Sequence, residues 1–229
     1  MIQISISEEI TLACPDLHVL AIVCEVRNTE SDPLLWEEIN QMESIVSSTT
    51  KLEEINKWLP ILATRQAYKK LGKDPNRYRP SAEALRRRIL RGLGLYKVDT
   101  LVDLINLVSI KSGYSIGGFD AGKIEGNLIL GVGKEGEIYH GIGRGELNIA
   151  GLPVYRDNVG GIGTPTSDEE RTKIEKTTKS LLMIINGYAG KEGLIEAGSY
   201  AVNLLKRYVS AIKIESELIS LNNRVKIVL

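Results

Sequence analysis

The spacing of apolar residues changes character near residue 114, and this change limits the folds open to the chain more than any other feature. Between residues 33 and 112 the apolar positions recur at helical intervals. After Gly113 the chain is rich in glycine, and its apolar residues fall in short runs between turn residues. The spacing predicts helices over 33–49, 60–71, 81–91 and 100–112. Pro33 stands where a first turn tolerates it, and Gly72 and Gly113 stop two of the four. Thr100 and Asp103 have the spacing of a capping box, and Leu101, Leu104, Ile105 and Val108 form one apolar stripe. Beyond residue 114, Asn127–Leu130, Glu137–Tyr139, Leu152–Tyr155 and Leu181–Ile185 read as strands and 191–209 as a helix. A closing hairpin, 211–219 with 224–229, turns at Asn222-Asn223. Near the start, 2–6 and 17–26 read as strands. The run Leu17–Val23 is almost continuously apolar, as a strand buried on both faces requires. Helices first, sheet in the middle and a helix with a hairpin last make an α+β class. No linker or repeat divides the chain, so one domain over 1–229 is expected.

Composition removes several function classes. No run of 18 apolar residues exists, so no helical span is expected. The start Met1-Ile2-Gln3-Ile4-Ser5 lacks the features of a secretory signal, which makes the cytoplasm the expected compartment. Cys14 and Cys24 form no metal-binding spacing and read as small buried apolar residues. His18 and His140 lie far apart in sequence with no acidic or cysteine cluster beside them, so no metal and no cofactor is expected. Gly131-Val132-Gly133-Lys134-Glu135-Gly136 matches a dinucleotide fingerprint in letters only. The next four residues, Glu137-Ile138-Tyr139-His140, read as strand, whereas the fingerprint needs a helix to open there.

Charge is more informative in its distribution than in its sum. The chain has 29 basic and 29 acidic residues, but residues 65–91 hold ten Lys or Arg against Asp74 and Glu83, a local net of +8. The remainder therefore carries −8. Lys69, Lys70, Arg77, Arg79, Arg87 and Arg88 are the candidates for phosphate contact, on RNA or tRNA. A solvated helix face would look the same.

The densest chemistry lies between Val154 and Thr172. Gly160, Gly161 and Gly163 permit close backbone approach, and Thr164, Thr166, Ser167 and Asp168 add hydroxyls and a carboxylate. A ligand-contacting loop and a self-bonded turn both fit this composition.

Five stretches carry a family resemblance in order: Asn76–Arg88, Leu101–Asn106, Gly117–Gly126, Tyr155-Arg156-Asp157 with Gly160–Gly163, and Glu170–Ile174. Together they cover about 60–190 and resemble the free-standing B3/B4-domain proteins, relatives of the editing domain of the phenylalanyl-tRNA synthetase beta subunit. The resemblance implies a β-sandwich-like core of unusual topology flanked by helices. It also implies recognition of an amino acid or an aminoacyl-tRNA, with trans-editing hydrolysis of a mischarged ester. The alternative is a noncatalytic RNA- or amino-acid-binding module with a vestigial pocket. Editing of this kind answers a physical need, because a site that accepts a substrate rejects a near-isostere only weakly. The chain has Gly117 and Gly118 where the bacterial synthetases commonly place a histidine before the Phe-Asp pair, and Leu181–Ile185 is aliphatic where an editing glutamate is expected. The remaining candidates for positioning a water are Asp168 and, second, Asp157. Gly117, Gly118, Asp120, Gly160, Gly161, Thr164 and Ser167 are expected to line one substrate cavity, with the amides near Gly160 and Gly161 facing a developing oxyanion.

Overall fold

A computed structural model describes residues 2–221 and 223–229. In chain order the elements are β1 (Ile4–Ile6), α1 (Glu8–Ala13), β2 (His18–Glu25), α2 (Pro33–Thr49), α3 (Leu59–Lys70), α4 (Ser81–Leu90) and α5 (Thr100–Ser112). They continue with β3 (Ile116–Asp120), β4 (Leu128–Val132), β5 (His140–Gly141), β6 (Gly145–Glu146), β7 (Pro153–Arg156), β8 (Gly161–Gly163) and β9 (Ser180–Gly187). The chain closes with α6 (Leu194–Tyr208), β10 (Ile212–Ser220) and β11 (Arg224–Ile227).

The fold is α+β, with a helical layer on one face of a pair of sheets. The larger sheet runs β11-β10-β2-β9-β3 and the smaller β1-β4-β7-β8. The central strands explain the unbroken apolar runs. Along β2, Leu20, Ile22 and Cys24 join the core formed with α2, α5 and α6, while Val19 and Ala21 face the smaller sheet. Along β9, Leu181, Met183 and Ile185 point to the helices, and Leu182 and Ile184 to Leu128, Leu130, Tyr155 and Ile162. Successive side chains of a strand leave by opposite faces, so a strand between two apolar layers has no polar side to show. All pairings in the larger sheet are antiparallel. β1 joins β4 in parallel, with Ile4 opposite Leu128.

Helix ends obey local chemistry. The N-cap of α5 is Asp99, not Thr100: its carboxylate accepts the Val102 N–H at 2.9 Å. Asp103 is instead buried, and it accepts Trp36 Nε1 at 2.7 Å and the Val98 N–H at 3.1 Å. Gly113 ends the helix at φ +79°, a left-handed conformation that glycine adopts at least cost. A Cβ there would stand 2.6 Å from the Trp58 ring.

Five of the described elements escape the sequence pattern: α1 has six residues, β5 and β6 have two each, β8 has three, and β3 begins with two poor strand formers after Ile116. Glu137–Tyr139 forms no strand, and no helix opens after Gly136. The turn read at Asn222-Asn223 involves Asn222, outside the described residues. Among the described residues no helix is long and apolar enough to cross a membrane.

Candidate functional site

A cavity of about 420 Å³ opens where α4, α5, β3 and the segment after β8 meet. One helical stripe of α5 supplies Val102, Ile105, Asn106 and Ser109, at the i, i+3, i+4, i+7 positions that share a face. α4 adds Ser81 and Leu85, and β3 adds Ile116 and Gly118. Thr164, Ser167, Asp168, Lys173 and Ile174 close one side, and Ile142, between β5 and β6, stands at the rim. The wall is thus mostly aliphatic, with an amide, hydroxyls, a carboxylate and an ammonium grouped on it. This is the usual make-up of a small-molecule site.

The loop that carries Asp168 is held tightly. Thr164 Oγ1 accepts the N–H groups of Thr166 and Ser167, both at 3.1 Å, and donates to the Ser167 carbonyl at 3.1 Å. That hydroxyl is committed to the turn. Tyr139 Oη donates to the same Ser167 carbonyl at 2.7 Å, and Tyr68 Oη pairs with Thr166 Oγ1 at 2.9 Å. The Ile142 N–H donates to the Asp168 carbonyl at 3.0 Å. A carboxyl on such a loop is preorganised rather than mobile.

Two glycines make room for it. A Cβ on Gly117 would lie 2.6 Å from Phe119 Cζ, and one on Gly163 would lie 2.5 Å from the same atom and 3.0 Å from Asp168 Oδ1. Any side chain at either position would displace the ring or the carboxyl. The Gly118 N–H donates to Asp168 Oδ2 at 3.1 Å. Burial pushes this carboxyl up to about 7, with only that backbone hydrogen bond pulling the other way. A carboxyl with such a value exchanges a proton near neutral pH, as a general base requires.

Of the residues singled out from sequence, Gly118, Thr164, Ser167 and Asp168 line the cavity, and Gly117 backs it through Phe119 and Asp168. The other four lie elsewhere. Asp157 Oδ1 pairs with Arg171 Nη2 at 2.8 Å and accepts the N–H groups of Val159 and Gly160, while its Oδ2 takes Arg171 Nη1 and the Glu125 N–H. Its side chain is closed to solvent and its carboxyl is held below the usual range, against the cost of burial, chiefly by Arg171. It is an anchor and has no proton to exchange near neutral pH. Asp120 accepts the Thr178 hydroxyl at 2.8 Å and the Gly122 N–H at 3.0 Å. The Gly160 N–H is spent on Asp157 at 3.1 Å, and Gly161 packs against the Tyr139 ring. Neither residue lines the cavity.

The basic segment is divided by the fold. Arg65 and Arg87 bond Glu83, and Arg79 stands 4.0 Å from it. Buried Lys73 donates to the Asn148 carbonyl, and buried Arg86 to the Ile110 carbonyl. Lys69, Lys70, Arg77, Arg91 and, beside Glu83, Arg79 remain exposed, and Arg88 is half-buried against Tyr96. The cavity residues missed from sequence are Ser81, Leu85, Asn106 and Lys173 and the apolar wall. The second stripe of α5, with Asn106 and Ser109 among apolar neighbours, was the readable sign of them.

Among known families, the model described as B3/4 domain matches residues 63–210, more than half of the chain. A stretch of 82 residues is 33% identical to the phenylalanine–tRNA ligase beta subunit of Brucella abortus (strain 2308). The match to that of Brucella suis biovar 1 (strain 1330) has the same figures. These matches take in 35% of this chain and 10% of each ligase subunit. The crystal structure of an N-terminal fragment of the phenylalanyl-tRNA synthetase beta subunit from Pyrococcus horikoshii aligns with 99% of this chain and 54% of its own. Its TM-score is 0.55 at 15% sequence identity, which establishes likeness of fold.

Proposed function

Since the chain belongs to the B3/4 domain family, we propose that it receives the aminoacyl end of a charged tRNA in the Asp168 cavity and hydrolyses the ester in trans. The observation that carries this reading is the placing of Asp168: its carboxyl, which burial pushes up to about 7, is held by the Gly118 N–H on the wall of a largely apolar cavity. The aliphatic wall suits an amino-acid side chain. Ionised Asp168 takes a proton from water, and the water oxygen attacks the ester carbonyl carbon. The carbon–oxygen bond to the ribose then breaks, and the proton passes to the departing ribose oxygen. Amino acid and uncharged tRNA are the products. Gly160 and Gly161 stand off the cavity, and the Asn106 amide and the Ser81 hydroxyl on its wall are the donors for the developing oxyanion.

RNA contact in this reading comes from exposed Lys69, Lys70 and Arg77, with Arg88 beside the cavity. Arg79 and Arg87 contribute less because they stand at Glu83. The site of action in this reading is the cytoplasm, where tRNA is charged. A second reading, a noncatalytic module that binds an amino acid or RNA, draws on one observation: the Gly160 amide, expected to face the oxyanion, is engaged by Asp157. Incubation with a panel of correctly charged and mischarged tRNAs separates the two. Release of amino acid from at least one, lost in Asp168→Asn, supports hydrolysis. Retention of every charged tRNA, with an amino acid still bound, supports the module.

A further inference from the structure

The face of α4 that lines the cavity continues past it. Ser81, Leu85 and Arg88 are spaced four and three apart, so they share one side of the helix, and the first two line the cavity. Arg88 stands beyond, with its guanidinium carbon 3.7 Å from the centroid of the Tyr96 ring. Val98, two residues after Tyr96, is again on the cavity wall. The Arg88–Tyr96 pair therefore sits at the rim, where α4 meets the segment leading into α5.

A second pair on the same helix shows what is unusual about this one. Arg86 lies over the Trp58 ring at 3.8 Å, but that residue is only 9% exposed and donates to the Ile110 carbonyl near the end of α5. It joins packed elements. Tyr96, by contrast, is 66% exposed and belongs to no core cluster. Arg88 donates from Nη2 to the Leu93 carbonyl at 3.3 Å, and its Nε has no partner among the described residues. The segment is pinned on both sides of the ring, by the Leu95 N–H on Glu43 at 2.7 Å and the Val98 N–H on Asp103 at 3.1 Å. The result is a fixed aromatic plane, backed by a cation and left open to solvent beside the cavity.

We propose that Tyr96, backed by Arg88, is the stacking surface for the terminal nucleobase of the ligand whose aminoacyl group enters the cavity. This rests on the aminoacyl reading of the Asp168 cavity. The ester ties the amino acid to a ribose, so the base on that ribose must leave the cavity across its rim. Aromatic planes take any base by stacking, and removal of one such plane weakens binding about tenfold or more.

Calorimetric titration of the native chain, Tyr96→Ala and Tyr96→Phe with two probes tests this. The probes are phenylalanine and its amide with 3′-amino-3′-deoxyadenosine, which cannot be hydrolysed as an ester. The native chain should bind the adenosine amide more tightly than phenylalanine. Tyr96→Ala should weaken the amide about tenfold and leave phenylalanine unchanged, while Tyr96→Phe keeps both affinities. Equal binding of both probes by the native chain, or Tyr96→Ala acting on both or on neither, overturns the platform and leaves the cavity reading standing. If neither probe binds the native chain, the platform is overturned, and the cavity reading is decided by the panel of charged tRNAs.

Discussion

Arg65 Nη1 donates to Glu83 Oε2 at 2.8 Å, inside the protein, with the Glu83 side chain wholly closed off from water. Arg87 Nε takes the other oxygen at 2.7 Å. Arg65 also reaches the Pro75 carbonyl and Asn76 Oδ1, so one guanidinium ties α3 to the loop before α4 and to α4 itself. Ser81 and Leu85 of the cavity wall are positioned by this joint.

Breaking the joint should be expensive. Glu83→Gln leaves the Arg65 charge buried without a compensating carboxylate and should cost about 3–5 kcal/mol. Arg77→Glu, at an exposed position, should change stability by about 0.5 kcal/mol or less. Urea unfolding at constant slope measures both. A loss below about 1 kcal/mol for Glu83→Gln would mean that the pair does not organise this region.

The same geometry decides how RNA binding should be tested. Charge reversal at Arg79 or Arg87 acts on the Glu83 joint as well as on the surface. The triple variant Lys69→Glu, Lys70→Glu, Arg77→Glu leaves the joint intact. It should weaken tRNA binding and reduce the slope of log affinity against log salt by about 2 to 3. An unchanged slope across about 50–200 mM salt would place the RNA surface elsewhere.

Close packing around the cavity predicts a contrast between two glycines. Gly163→Ala sets a methyl group against Phe119 and Asp168 Oδ1 and should cost about 1–3 kcal/mol. Gly160→Ala meets no atom of the described residues within 4 Å and should be nearly neutral. Thermal or urea unfolding of the pair checks it. Equal losses at both positions would contradict the packing argument.

Asp168 gives stability a definite dependence on pH. Its carboxyl is raised from an ordinary 3.8 to about 7 by burial, so between those values the native chain holds a proton that the unfolded chain has released. Stability from this group is therefore fully present below about pH 4 and lost as pH rises towards 7. Asp168→Asn has no such proton. The difference in stability between variant and native chain should grow in the variant's favour from about pH 4.5 to 7.5. A difference that stays constant over that range would show that the carboxyl ionises normally.

Much of the layering was legible because it depends on period. The four early helices, α6 and the strands β2 and β9 can be read from spacing alone, since each buries a face or both faces. β3 and β8 were not legible. Gly117 and Gly163 admit Phe119 and Asp168, Gly118 admits Ile105 and Ile174, and Gly161 admits Tyr139, a tertiary demand that lowers strand propensity and hides both strands. The site was half legible for the same reason. The glycines and hydroxyls around Asp168 mark a tight loop, but only three dimensions show that Asp157 is tied to Arg171 while the Asp168 carboxyl, among the described residues, has the Gly118 amide alone. The charge run misled in part, because an Arg that pairs inward and one that faces solvent read alike in a sequence.

The rate of ester hydrolysis against pH, measured in single turnover on the charged tRNA that the chain discharges, bears most directly on Asp168 as the base. The native chain should gain activity as pH rises and level off above about 7, where the carboxyl is ionised. Asp168→Asn should be slower by about 10²–10⁴-fold and lack that inflection. Equal rates for native chain and variant, or an activity that falls as Asp168 ionises, would contradict the account.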